Sequence, residues 1–180
     1  MSKTQIATGG IADSAVTADK ATGIGISMAD QWRLTANKDC TSRSGQDIDA
    51  NLERVDNASF TGLGTGMSES SGIFTFPNTG IYYVTANGRF SNAQTDYCAV
   101  MIEITQNNSS YSRASENYTM LSGSDAFNSM QSSVVMDVTN TSNVKVKFTV
   151  RSYVQSGSVK LNGDTDENET FFTFIRLGDT

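Results

Sequence analysis

Val144-Lys-Val-Lys-Phe-Thr-Val-Arg151 carries an apolar side chain at every second position. A pleated strand returns the same face with a period of two, and a helix does not. The run therefore predicts a strand with Val144, Val146, Phe148 and Val150 facing a core and Lys145, Lys147, Thr149 and Arg151 facing solvent. The same code recurs along the chain. Trp32-Arg-Leu34-Thr-Ala36 alternates, Ser133-Val-Val-Met-Asp-Val138 reads as a strand, and Cys98 to Thr105 is apolar on both faces at most positions. Phe171-Phe-Thr-Phe-Ile-Arg-Leu177 is also greasy on both faces, so it calls for two partners: its own core and a neighbouring subunit. Ile73-Phe-Thr-Phe76, the turn Pro77-Asn-Thr-Gly80 and Ile81-Tyr-Tyr-Val-Thr-Ala86 read together as a β-hairpin, with Pro setting φ and Gly80 free to take positive φ.

Short strands separated by Gly, Asn and Ser turns predict an all-β sandwich or barrel. Ser, Thr, Asn and Gly, rather than Leu, Glu and Lys, dominate the 180 residues, which disfavours helix. One segment, Asp47 to Val55, leaves a short helix and an irregular strand equally open. Its Ile48, Leu52 and Val55 recur at i, i+4 and i+7.

Residues 1–26 follow a different rule. Ile6, Ile11, Val16, Ala21 and Ile26 recur every five residues among Gly, Ala, Ser, Thr and Asp. That period fits neither helix nor strand, and the segment has no aromatics with which to build a core. The expectation is an extended arm over 1–27 that anchors through Ile6, Ile11, Val16 and Ile26, followed by one domain over 28–180. The N-terminus lacks a signal-peptide core, and no stretch approaches membrane-spanning length. Either an intracellular place or release by a route needing no signal is expected, and membrane insertion is not.

A net charge of −6 and the absence of His bear on function. An acidic chain repels phosphate backbones, which argues against nucleic acid as a partner. Lack of His removes the commonest general base and metal ligand. Gly62-Leu-Gly-Thr-Gly66 lacks the Lys-Ser/Thr ending of a phosphate loop, and no Gly-x-Ser-x-Gly elbow exists. The chain is therefore expected not to be an enzyme and to hold no cofactor. Cys40 and Cys98 are expected as free thiols. The densest acidic cluster, Asp164-Thr-Asp-Glu-Asn-Glu169, begins like a calcium loop, which makes Asp164, Asp166 and Glu169 weak calcium candidates. It lacks the turn glycine and the final bidentate acid, so a solvated loop is the default. The stretches 106–120 and 121–130 carry Tyr111, Tyr118 and Phe127 among Asn and Ser. They read as receptor-facing loops or, with slight preference, as edge strands and loop packing.

Gly72-Ile-Phe-Thr-Phe-Pro-Asn-Thr-Gly80-Ile-Tyr-Tyr-Val84 resembles the signature segment of the complement q-component globular head and tumour-necrosis-factor-like family, although the spacing of Pro77 and Gly80 departs from animal members. Val134–Val138, Val144–Val150 and Phe171–Leu177 look like that family's last strands. Met28-Ala-Asp-Gln-Trp-Arg-Leu-Thr35, Leu63 to Pro77 and Phe172 to Thr180 look like jelly-roll domains in structural proteins of marine bacteriophages, and Ile11 to Lys20 resembles repeats in phage fibre proteins. The resemblance implies a jelly-roll sandwich that forms a homotrimer through its inner sheets. Phe74, Phe76, Tyr82, Tyr83, Phe172, Phe174 and Ile175 are the candidates for its core and trimer interface. It further implies a protein of the virion surface, held by its arm to other virion proteins and decorating or stabilising the head. The first alternative is a tail-fibre or receptor-binding protein for a host glycan or protein. The second is a secreted cytokine-like or complement-like ligand.

Overall fold

The computed structural model describes residues 25–57, 60 and 62–180. The anchoring candidates Ile6, Ile11 and Val16 lie outside the described residues. Among the described residues there is no helix, and hence none long and apolar enough to cross a membrane. The strands are β1 (Met28–Leu34), β2 (Lys38–Asp39), β3 (Gln46–Asp47), β4 (Leu52–Arg54), β5 (Ser68–Ser70) and β6 (Ile73–Thr75) in the first part of the chain. The long strand β7 (Gly80–Thr105) follows, then β8 (Tyr111–Glu116), β9 (Ser122–Val138), β10 (Lys145–Leu161) and β11 (Phe171–Gly178).

The pairing is antiparallel throughout, and the sheet curls into two layers. The first layer runs β4-β1-β11-β7-β9, using the start of β7 and the end of β9. The second runs β8-β7-β10-β6-β5, using the end of β7, with β2 and β3 also along the free edge of β10. β7 passes from one layer to the other. Its pairing slips at Ser91/Ala93, where Asn92 takes φ 71°, and the β10 pairing slips nearby as Gly157 takes φ 86°. Bulges of this kind bend a strand. A side chain at 157 would lie 2.8 Å from the Asn92 carbonyl oxygen, so glycine permits the bend.

The core lies between the layers. Phe74 meets Phe148 (ring centroids 5.4 Å apart), Phe174 (5.1 Å) and Trp32 (5.5 Å), while Phe148 stacks on Phe172 at 4.0 Å. Burying each such ring contributes roughly 1.5–3 kcal/mol. Cys40 and Cys98 are both buried free thiols, and burial pushes both pKa values up to about 12.

Two sequence expectations are corrected here. Residues 73–76 and 81–86 are not a hairpin: β6 pairs with β5 and β10, whereas the start of β7 pairs with β9 and β11. The Pro77–Gly80 turn carries the chain across the sandwich, with Gly80 at φ 142° as its chemistry allows. Apolar positions on the two sides of the turn thus face each other through the core, as Phe76 and Tyr82 do at 4.6 Å, rather than lying side by side. Second, the outward face of Val144–Arg151 is not simply wet. Thr149 is buried, and Lys147 Nζ lies 2.8 Å from Asp47, whose strand β3 covers the β10 edge. Much of 106–130 is strand, the reading preferred over receptor-facing loops, because β8 and β9 edge the end and the start of β7. In the segment left open, Asp47–Val55, the irregular strand prevails. The backbone N–H groups of Ile48 and Val55 donate to the carbonyls of Phe148 and Gln31 on neighbouring strands, so they are not used for a helical turn.

Candidate self-association face

Alternation along the strands of the first layer sends one set of side chains into the core and the other outward. Phe172, Phe174, Tyr82 and, from the opposite layer, Phe74 and Phe76 belong to the inner set and are fully buried within the single chain. They make the core and are out of a partner's reach. Tyr83 and Ile175 belong to the outer set. Of the residues named from sequence as core or interface, only these two reach the outer surface.

Register builds a row across the layer. Ala29 pairs with Ile175, Ile175 with Tyr83, and Tyr83 with Val135. Val135 is 61% exposed, and Leu177, Leu63 and Ile26 extend the apolar surface beside the row. The next row, Gln31-Thr173-Thr85-Ser133, is polar but uncharged. In the row after that, Arg33-Phe171-Asn87-Gln131, Arg33 is only 2% exposed and bonds Glu53 and Asp56, each at 2.7 Å. An exposed cation is thereby kept off this part of the face. Sequence reasoning missed Val135 and Leu177 as surface residues. The available signal was two adjacent valines in a strand: Val134 packs on the core, so Val135 must point away from it.

Below these rows the face becomes polar. A cleft of about 580 Å³ is lined by Asn87, Arg89, Gln131, Asn168, Glu169 and Phe171. Arg89 pairs with Glu169 and lies over the Phe127 ring at 4.7 Å. Glu169, one of the calcium candidates, is thus engaged by a cation of the chain itself. Asp164 Oδ1 accepts the backbone N–H groups of Asp166 (2.7 Å) and Glu167 (3.0 Å), which holds its carboxyl below the usual range. Asp164, Asp166 and Glu169 are therefore not gathered for an ion. Among the described residues, no three acidic or Cys side chains are placed to hold a metal.

At the layer's edge a buried carboxylate organises the chain. Asp30, 2% exposed, accepts from Met67 N (2.7 Å), Trp32 Nε1 (3.0 Å) and Arg54 Nε (2.9 Å). It ties β1 to β4 and to the segment before β5. A buried charge is tolerated when its acceptor sites are filled in this way.

Of the receptor-facing candidates, Phe127 and Tyr118 are exposed (61% and 54%), whereas Tyr111 is half-buried. The structure does not bring the three together. Phe127 lies on β9 beside Arg89, and Tyr111 and Tyr118 lie on or beside β8.

No family model and no curated protein sequence matches the chain. Solved structures do. Murine APRIL superimposes with a TM-score of 0.58 at 13% identity, covering 83% of this chain and 98% of that one. Eiger TNF from S. frugiperda gives 0.58 at 13%, covering 87% and 95%. PRD1 vertex protein P5 gives 0.52 at 14%, covering 86% and 99%. The fold is the tumour-necrosis-factor-like jelly roll, as the resemblance of the Gly72–Val84 segment implied.

Proposed function

We propose that this chain is a non-catalytic structural protein of a virus particle surface that self-associates as a trimer through the outward face of its first layer and is anchored by residues 1–27. The observation that carries the reading is the uncharged, partly aliphatic row Ala29-Ile175-Tyr83-Val135 on the exposed side of a β-layer. A solvated sheet face ordinarily alternates polar residues outward. Here Val135 and Leu177 stay open to water in the single chain, and removing such area from water favours association. Likeness to a vertex protein supports the particle surface over the secreted-ligand reading, which in turn draws support from the likeness to APRIL and Eiger. Decorating or stabilising the head is the role proposed for it there, since an arm that binds only assembled shells shifts the equilibrium toward assembly.

Two measurements test this. Sedimentation of the full chain is expected to give three times the 19.3 kDa chain mass, and a monomer at micromolar concentration would overturn the trimer. The full chain is expected to bind emptied particle heads, with binding lost when residues 1–26 are deleted. Adsorption of isolated protein to host cells, without binding to heads, would instead support the tail-fibre or receptor-binding reading. The observation favouring that second reading is the aromatic surface of the other layer.

A further inference from the structure

Four of the six tyrosines lie on the outward side of the second layer, and each has a cation against its ring. Arg151 lies 5.4 Å from the Tyr97 centroid and 5.2 Å from that of Tyr118. Arg43 stacks on Tyr153 at 3.4 Å, and Lys147 approaches Tyr111 at 4.9 Å. Register explains the gathering. Tyr97 of β7 pairs with Tyr153 of β10, and Ala99 pairs with Arg151. Tyr118 follows β8, and the bridge between Cys98 and Thr119 holds it beside them. Tyr97 thus meets Tyr118 at 5.5 Å and Tyr153 at 6.0 Å, both edge-on, which gathers three rings into one cluster. Ala99 is fully buried.

The charges on this surface are unequal. Arg151 pairs with Glu116, which also takes Arg113, and Lys147 pairs with Asp47 and Glu103. Arg43 is exposed and makes no ion pair among the described residues. One end of the aromatic surface therefore presents a guanidinium without an ion-pair partner, while Glu116 and Arg151 beside its other end are largely buried and taken up by each other.

We propose that this surface binds an anionic saccharide. The C–H face of a pyranose ring matches the negative face of an aromatic ring, and Tyr118, 54% exposed, is the most open ring of the cluster. Arg43, exposed and without an ion-pair partner, suits a carboxylate or sulfate. Three clefts among the described residues lie on the other layer. The site does not depend on the self-association face, which lies on the opposite layer.

Titration calorimetry of the full chain tests it with three probes: oligogalacturonate, sulfated dextran oligomers and neutral dextran oligomers. Heat with one or both charged probes is expected, and which one responds identifies the acid as carboxylate or sulfate. Added salt is expected to weaken that binding. Tyr118→Ala and Arg43→Ala, both at exposed side chains, are each expected to lose about tenfold in affinity, with unchanged circular dichroism and sedimentation mass. Val135→Glu is expected to retain saccharide binding even where it dissociates the assembly, which separates failure of this site from failure of the trimer. No binding of either charged probe, equal binding of neutral dextran, or full affinity in Arg43→Ala would overturn the proposal.

Discussion

The two outward faces of one sandwich differ in chemistry although both are built from the same alternating strands. The first layer presents Ile175, Tyr83 and Val135, then Thr173, Thr85 and Ser133, and its one central arginine, Arg33, is buried under Glu53 and Asp56. The second layer presents Glu103, Lys147, Arg151 and Glu116 among tyrosines, nearly all in ion pairs or ring contacts. The uncharged rows of the first layer cost little to desolvate, although Asp137 stands exposed beside Val135, whereas a face of paired charges costs more. The difference suits the first layer to permanent burial against copies of itself and the second to water or to a polar ligand.

The largest expected effect comes from charging the neutral face. Val135→Glu places a carboxylate where assembly would bury it without a partner, a cost of about 3 kcal/mol or more, or roughly a hundredfold in association at each contact. Because Val135 is mostly exposed in the single chain, thermal stability of the monomer should hardly change. Sedimentation showing an unchanged oligomer would break the comparison at its main point. A smaller effect is expected on the other layer. Glu116→Ala leaves Arg113 and Arg151 without their shared acid, which should cost about 1 kcal/mol and lower Tm by about 2–4 °C without altering the oligomer mass. High salt should shrink that difference. If Glu116→Ala dissociates the protein instead, the roles assigned to the two faces are reversed.

The smallest effect sharpens the picture through pH. Partial burial of the Lys147 ammonium works to lower its pKa. The hydrogen bond and charge of Asp47, joined by Glu103, outweigh that, so the net shift is upward from 10.5. A pKa raised in the folded state gives stability that is present in full below the unfolded value and is lost as pH rises through the folded one. Alkaline melting curves should therefore fall more steeply above about pH 10.5 in the wild type than in Lys147→Met. Identical alkaline slopes would mean that the ion pairs of this face contribute nothing measurable.

The arm illustrates a different limit. Its five-residue spacing of Ile6, Ile11 and Val16 belongs to neither helix nor strand. Ile26, the last of the series, is 52% exposed just before β1. The meaning of that spacing rests on the particle-binding deletion experiment described above.

Period-two patterning was sufficient to place the strands and the inward set, because which side of a strand a residue occupies is a local property. Val144, Val146, Phe148 and Val150 are all buried where alternation put them, whereas in Phe171–Leu177, apolar on both faces, only the structure shows that Phe172 and Phe174 point inward. The partner of each strand is not local. Pro77 to Gly80 looks the same in sequence whether it closes a hairpin or crosses between layers, and only the packing of Phe74 against Phe148 and Phe174 selects the crossing. The same holds for the surfaces. Arg33, read as an outward polar residue, is buried because β4 brings Glu53 beside it, and Tyr97, Tyr118 and Tyr153 converge because β7 and β10 pair in one particular register. Alternation along one chain segment settles the direction of a side chain, and pairing between distant segments settles what it meets.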